Sequence, residues 1–410
     1  VSTPVTPSSR SDSAQWRRAV YELAEVRRPS ASEGERRAAE LIAGRLRRLG
    51  CRARIEEERA HGGYWWPLGL ANALAAAGAA WALARPTRDR RIVAAAAGAL
   101  AAAAIHDDVS GGRLWFRRAL LRRHPTWNVI AEAGDPEAER TLVLVAHHDA
   151  AHSGLVFHPA LGRLAPRLAP RLHERSSHTF PIMYLVWAGS IVVLAGALSA
   201  SRRLLAGGLG LAAGTVAAMA DIGLRDVVPG ANDNLSAVAV LLAVAESLRE
   251  RPVRGLRVLL LSTGSEESFM EGMQAFGRRH FARLDPERTE VLCLECLGGP
   301  ELIVLEGEGM LRMRDYPLWL REELAQAARR VGVRVGRGLR TVAATDGLIA
   351  LRAGYPTATL ASVTDTKLPL NYHWPSDRPE ALHWQTVEEA ISVCEEFLRG
   401  RADGATLWLG

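Results

Sequence analysis

Four long apolar stretches break into an otherwise regular alternation of strand-like and helix-like segments, and they limit the fold more than any other feature of the chain. Trp65 to Ala84 runs 20 residues without a charge, and Ile92 to Ile105 runs 14. Phe180 to Ala200 runs 21 and Leu204 to Gly223 runs 20, with Asp221 near the end of the last. They form two pairs, each closed by a short arginine-bearing loop, RPTRDRR in the first and SRR in the second. A helix needs roughly 20 apolar residues to cross the hydrocarbon layer. Three of the four have that length; the second is short, so it is tilted, re-entrant or extended by its flanks. Two membrane hairpins are therefore expected, over residues 65–105 and 180–223. Soluble dimerisation hairpins are the rival reading. Against it, the rest of the chain already supplies a full set of elements for one core. Helices apolar all round then have only lipid or another subunit to pack against.

Each hairpin returns the chain to the side it left, so everything else lies on one face of the bilayer. The loops carry Arg85, Arg88, Arg90, Arg91, Arg202 and Arg203. The opposite ends of the spans carry more, including Arg52, Arg54, Arg59, Arg113, Arg117, Arg118, Arg167, Arg171, Arg175 and Arg225. Counted this way, the larger part of the chain faces the cytoplasm.

That larger part reads as α/β. Residues 14–49 form two helices, the second stopped by Gly50. WNVIAEAG, TLVLVAHHD, LRVLLLSTG, EVLCLECLGG, ELIVLEG and PTATLAS read as strands, alternating with helices in NLSAVAVLLAVAESLRE, YPLWLREELAQAARRVG and HWQTVEEAISVCEEFLRG. The expected fold is a mixed, mostly parallel central sheet with helices on both faces. Its domain comprises residues 14–60, 106–179 and 224–400. Residues 1–13 are polar and Pro/Ser-rich, with no apolar segment of a secretory signal, and are expected to be a disordered lead-in; residues 401–410 are a tail.

Hydrophobic residues make up 48% and charged residues 23%, which excludes a disordered or fibrous chain. The net charge is +6, almost all of the cations are arginine, and Lys367 is the sole lysine. The arginines are spread over many helices without interleaved aromatics, so no nucleic-acid partner is expected. Four cysteines, Cys51, Cys293, Cys296 and Cys394, are too few for a disulfide framework. Cys293 and Cys296 point to opposite faces of a strand and read as core rather than as a metal or redox pair.

Acidic and histidine-bearing clusters sit where strands end: AHHDA (His147, His148, Asp149), GANDNLS (Asp233), TGSEES (Glu266, Glu267) and CLECLGG (Glu295). A fifth, NYHWPSD (His373, Asp377), lies in a late loop. In open α/β sheets the functional crevice forms at the carboxyl ends of strands, so these clusters can converge. Each alone is more often a solvated surface feature. Asp149, two residues after His147, shares its face of the strand end. His148 alternates to the other face and reads as a non-ligand, as do His152 and His158.

In this order, HxD, GAxDNxS opening a helix, EE, LExxG and YHxPxD, the clusters resemble the double-zinc aminopeptidases, a family that includes glutamate carboxypeptidase. The resemblance covers roughly residues 14–60, 126–154 and 228–400, and TDGLIALRAGYP is similar to the family segment before the last histidine. It implies two zinc ions held by His147, Asp233, Glu267, Glu295 and His373. Asp233 would be the bridge, His147 and Glu295 would complete one site, and Glu267 and His373 the other. It implies Glu266 as general base on a water between the metals, and Asp149 as the partner that orients the His147 imidazole. Asp346 and Asp377 take substrate or supporting roles by resemblance, with a loop-stabilising turn equally open. Cobalt or manganese fits the same ligands.

Two departures bear on the substrate. Glu295 stands where these aminopeptidases usually have aspartate, as in related two-zinc carboxypeptidases and deacylases. The second hairpin sits between Asp149 and Asp233, where the family has a short loop, which puts the mouth of the site near the membrane. The expected activity is that of a membrane-bound exopeptidase of aminopeptidase type acting on a peptide or amide substrate, membrane-associated or amphipathic, with membrane lipid as a partner. A carboxypeptidase-like or amide-cleaving hydrolase is the alternative within the class. An inactive receptor or scaffold on the same fold is the alternative outside it, and would be expected to have broken ligands. A glutaminyl-cyclase-like transferase fits less well because the HxD histidine is retained. The oligomeric state is not readable.

Overall fold

The structure is a computed structural model and describes residues 13–403. Residues 1–12 of the expected lead-in and 404–410 of the expected tail lie outside the described residues. Seven strands form one sheet: β1 (Arg52–Ala60), β2 (His124–Gly134), β3 (Thr141–His147), β4 (Arg257–Thr263), β5 (Thr289–Glu295), β6 (Glu301–Val304) and β7 (Thr357–Val363). Their order is β1-β2-β4-β3-β5-β7-β6. The middle four run parallel, and β1, β2 and β6 pair antiparallel at the two sides. This is the expected mixed sheet. The strand absent from the sequence reading is β1: its Arg52, Arg54, Glu56 and Glu58 give no apolar signature. As an edge strand it can carry charge, which also discourages pairing with another chain; Arg54 bonds Glu132, and Glu58 pairs with Arg279.

Helices cover both faces. α1 (Ser13–Ala24), α2 (Glu33–Arg48), α7 (Ser236–Glu250), α9 (Leu318–Arg330) and α11 (Trp384–Asp403) pack on the face that presents Leu142, Leu144, Leu260, Leu292 and Leu360. The intervening residues Val143, Val145, Leu259, Leu261 and Val291 point the other way, as the two-residue period of a strand requires. There they meet α8 (Glu271–His280) and α10 (Asp346–Arg352). Each such fully buried leucine or valine contributes about 1.5–3 kcal/mol.

The four apolar stretches are α3 (Trp65–Ala84), α4 (Arg88–Val109), α5 (Ile182–Leu198) and α6 (Arg202–Leu224). Three are long and apolar enough to cross a membrane, and the short one is α5, not the second stretch. α4 is extended by its flanks to 22 residues, because Thr87 caps its start and the helix runs on past Ile105 to Val109. α5 is cut to 17 residues: Pro181 blocks extension upstream, and Ala200 takes a left-handed φ of 57° just past its end.

The four helices form a bundle. Glycines set its spacing: a Cβ on Gly189 would lie 2.8 Å from the backbone nitrogen of Ala212, and one on Gly208 would lie 2.7 Å from that of Val193. Close backbone approach through small residues is how helices associate without a hydrophobic drive between them. The outer surface of the bundle remains apolar, with Trp66, Trp81, Ile92, Val93, Leu185 and Leu211 exposed. At the loop end, the Arg90 guanidinium lies 4.0 Å from the centroid of the Trp81 ring.

The first hairpin is keyed to the α/β domain by a buried ionic cluster. Arg117 makes two 2.8 Å bonds to the Asp108 carboxylate at the end of α4, and also bonds the Ser268 carbonyl at 2.8 Å and Glu271 at 3.1 Å. His61 closes the cluster on Glu271 through Nδ1 at 2.7 Å. Replacing Gly208 with leucine should force α5 and α6 apart and cost about 1–3 kcal/mol. Gly210→Leu, where nothing lies within 4 Å, should cost nothing; unfolding in detergent, followed by circular dichroism, separates the two.

Candidate active site

Three of the chemistry-bearing loops leave neighbouring parallel strands. β3 ends on His147, β4 leads into Glu266 and Glu267, and β5 ends on Glu295. Asp233 arrives from a tight turn before α7, entered through Gly230 (φ 59°), where a Cβ would lie 2.6 Å from the Asp233 carbonyl oxygen. His373 comes from the loop before α11. Left-handed backbone at non-glycine residues marks three of these loops: Ser265, Cys296 and His373, with φ of 50°, 51° and 49°. Such conformations cost free energy and persist only where the surroundings impose them.

The side chains converge. His147 Nε2 lies 3.2 Å from Asp233 Oδ1, 3.7 Å from Glu295 Oε1 and 3.9 Å from Glu266 Oε2. His373 Nε2 lies 3.2 Å from Asp233 Oδ2 and 3.3 Å from Glu267 Oε2. The Asp233 carboxylate therefore faces one imidazole with each oxygen. Donor sets with ligand atoms within 4.8 Å of one another are His147–Asp233–Glu295, Asp233–Glu267–His373 and His147–Glu266–Glu267. Ligands of one tetrahedral zinc, at about 2.0 Å from it, are about 3.3 Å apart, close to the shorter of these separations. Glu267 Oε1 and His373 Nδ1 are buried and have no hydrogen-bond partner among the described residues, and Asp233 Oδ2 is buried with only the His373 imidazole beside it. Nitrogen and carboxylate donors with orphaned buried atoms fit divalent cations such as zinc.

The electrostatics agree with that fit. Burial, reinforced by Glu267, Asp346 and Glu295 against the opposing His147, holds the Glu266 carboxyl well above the ordinary range. Burial, reinforced by Asp233 against His373, also raises Glu267. Asp233 is lowered, because its bonds to His147 and His373 outweigh burial. His373 rises to about 10 as Glu267 and Asp233 overcome the effect of burial. Cations placed among such carboxylates remove the repulsion that raises them.

Asp149 ties the site together more widely than its spacing from His147 implied. Its Oδ1 lies 3.4 Å from His147 Nδ1 and accepts the Glu266 amide at 3.0 Å. Its Oδ2 accepts the Glu267 amide at 3.1 Å and the Ser30 hydroxyl at 2.6 Å. Asp377 does the same for the Asp233 turn, accepting the amides of Asn232 at 2.7 Å and Asp233 at 3.1 Å. Burial raises its pKa to about 7. Asp346, at the start of α10, accepts from Thr263 and keeps Oδ1 buried without a partner. His148 turns away to Ser262 at 2.9 Å, and His152 bonds the Arg225 carbonyl at 2.8 Å.

Several supporting residues escaped the sequence reading. Asn232 and Asn234 flank Asp233 and latch the next loop: Asn234 Oδ1 accepts the Cys296 amide at 2.9 Å, and Asn232 Oδ1 accepts the Gly298 amide at 2.7 Å. The paired asparagines in GANDNLS were the available signal. Arg28 is wholly buried and donates to the carbonyls of His148, Pro229 and Gly230 at 2.7, 2.6 and 2.8 Å. Burial lowers its pKa to about 10, against the pull of Asp377 and Asp149. Nothing in VRRPS distinguishes Arg28 from a surface arginine. Above the cluster lies a cavity of about 190 Å³, lined by Tyr64, Phe157, Phe180, Met183, Phe269 and Tyr372 among others.

Comparison with known proteins gives the following. Residues 215–398, just under half of the chain, match the model of peptidase family M28. The match includes Asp233, Glu266, Glu267, Glu295 and His373 and begins after His147. A zinc aminopeptidase from Bacillus subtilis is 15% identical with a TM-score of 0.55, covering 95% of each chain. The aminopeptidase of Aneurinibacillus sp. strain AM-1 is 13% identical at 0.55, covering 96% of this chain and 94% of its own. A glutaminyl cyclase from Bacteroides thetaiotaomicron is 13% identical at 0.54, covering 95% of this chain and 97% of its own. At these identities the likeness is one of fold. A search of curated protein sequences gives no match.

Asp377→Ala should leave two buried amides of the Asp233 turn without an acceptor. Cation affinity should fall about 10–100-fold, read by competition with a chromogenic chelator; unchanged affinity would remove Asp377 from the support of the site.

Proposed function

We propose a reaction on the premise that this chain carries a peptidase family M28 domain on the zinc-aminopeptidase fold, and is a zinc metallopeptidase. The reaction is hydrolysis of a peptide bond at a membrane surface by an exopeptidase of aminopeptidase type. Two ions are assigned, one to His147, Asp233 and Glu295 and one to Asp233, Glu267 and His373. The observation that carries this is the Asp233 carboxylate, turned with one oxygen to His147 and the other to His373. Zinc bound there supplies a Lewis acid that polarises the scissile carbonyl and acidifies a neighbouring water.

The chain's own groups do the rest. Glu266, beside the ligands and facing the cavity, takes a proton from the attacking water and passes it to the leaving nitrogen. Asp149 holds the His147 ring and the backbone of Glu266 and Glu267 in one arrangement, so base and ligands keep their spacing. The apolar cavity walls exclude water around the scissile bond and receive an apolar substrate side chain.

Glu295, in the place of an aspartate, favours the carboxypeptidase-like or amide-cleaving reading. The cavity weighs against a carboxylate-terminal substrate. Its one lysine or arginine among the described lining residues is Lys367, whose Nζ already donates to the carbonyls of His173, Glu174 and Ser176. Among the described lining residues no cationic side chain is left free for an incoming carboxylate. The inactive-scaffold reading expects a broken donor set, whereas every donor and Glu266 are in place.

The membrane setting is supported by the exposed apolar flank of the α3–α6 bundle and by the length of three of its helices. With both hairpins spanning, the α/β domain lies on one side, assigned as cytoplasmic from the arginine count. Metal analysis of the purified protein should find two zinc ions per chain. Glu266→Gln should keep both and lose about 10²–10⁴-fold in kcat on peptides with a free amino terminus, and amino-terminally blocked peptides should resist the wild type. Wild-type activity in the variant would overturn the assigned base, and preferential cleavage of blocked peptides would favour the alternative.

A further inference from the structure

Between the HxD loop and the second hairpin the chain runs through three short helices, Pro159–Gly162, Leu164–Leu168 and Pro170–Arg175. The sequence there is a four-residue repeat, LAPR-LAPR-LHER from Leu164 to Arg175, preceded by Leu161 and Arg163. Its leucines are not core. Leu168 is 80% and Leu172 72% exposed, and Leu161 and Leu164 are exposed as well. Arg163, Arg167, Arg171 and Arg175 are exposed too, and none has a carboxylate partner among the described residues. The one acid in the repeat is Glu174. A soluble surface gains nothing by pairing bare leucines with unpaired arginines at regular spacing.

The segment is held at the level of the span ends. At its start the Leu155 amide bonds Asp221 in the last turns of α6 at 2.6 Å, and at its end Phe180 and Pro181 lead directly into α5. Its inner side is docked on the α/β domain: His173 bonds the Asp365 carbonyl at 2.9 Å, and Lys367 donates to the Ser176 carbonyl at 2.7 Å. Phe157 and Phe180, on either side of the repeat, line the cavity over the metal ligands. The residues flanking the segment thus border the cavity, and the segment itself carries the exposed leucine–arginine repeat beside it.

We propose that residues 159–175 are an interfacial segment that rests on an anionic lipid surface. Its leucines sit at the headgroup–acyl boundary, and its four arginines meet lipid phosphates. Apolar side chains at that depth combined with cations at the headgroups are the chemistry of interfacial binding, and arginines near an anionic leaflet strengthen it. With Phe157 and Phe180 on either side of it, the segment keeps the cavity at the bilayer surface. The inference rests on the reading of the hairpins as membrane spans.

The test uses the full chain with Leu168→Cys carrying an environment-sensitive fluorophore, reconstituted in vesicles of phosphatidylcholine with or without phosphatidylglycerol. Flotation of the vesicles reads the spans, and the fluorophore reads the interfacial segment. In phosphatidylglycerol vesicles the emission should shift to the blue and become inaccessible to iodide. Exchanging Arg163, Arg167, Arg171 and Arg175 for glutamine should abolish both changes while flotation persists. A probe equally open to iodide in both vesicle types overturns the interfacial proposal and leaves the membrane reading standing. Protection that is the same without phosphatidylglycerol, or that survives the arginine exchange, overturns the role of anionic lipid. Failure to float with either vesicle overturns the membrane reading itself.

Discussion

A single carboxylate, that of Asp233, stands between two imidazoles, and most of the surrounding structure exists to keep it there. Burying it beside Glu266, Glu267 and Glu295 concentrates negative charge where water cannot screen it. The fold meets that cost from two sides. His147 and His373 face the cluster directly, and the guanidinium of Arg28 lies buried behind it, clamped to the carbonyls of the loops that carry His147 and Asp233. The site also keeps buried polar atoms without a partner among the described residues, which fits the cations proposed for it.

The loops are positioned by a common rule: a backbone amide next to a ligand is held by a carboxylate or amide side chain from a different loop. Asp149 holds the Glu266–Glu267 backbone, Asp377 holds the Asp233 turn, and Asn234 holds the backbone just past Glu295. A displacement of one loop is therefore felt by the next. The same chain of contacts reaches the first hairpin, because Glu271, a few residues beyond Glu267, meets Arg117, and Arg117 grips Asp108 at the end of α4. The proposed membrane bundle and the candidate site are thus linked through one chain of contacts.

Much of this was legible in the chain itself. The buried run of β3, the strand-end acids, the two hairpins and the mixed sheet follow from hydrophobic period and from the residue types that end each strand. What failed did so for physical reasons. β1 has the charge of an edge strand and none of the apolar alternation that identifies a half-buried one. Apolar runs do not mark helix ends: a threonine cap lengthened α4, the extension by its flanks that the sequence left open, and a proline with a left-handed alanine shortened α5 below its apolar run. Arg28, Asn232 and Asn234 were missed because their value lies in partners far away in the chain, as the separation of Arg28 from Gly230 illustrates.

By itself, then, the sequence determined the chemistry on offer: which residues can donate to a metal, that they end successive strands, and that two apolar hairpins interrupt them. Residue type and local period carry that information. Only the tertiary structure decided that Asp233 turns one oxygen to each histidine, that Glu266 stands beside them rather than elsewhere on its loop, and that the residues flanking the leucine–arginine segment border the cavity. Those are distances between residues far apart in the chain, set by the order of strands in the sheet and by hydrogen bonds between loops, and no local pattern encodes them.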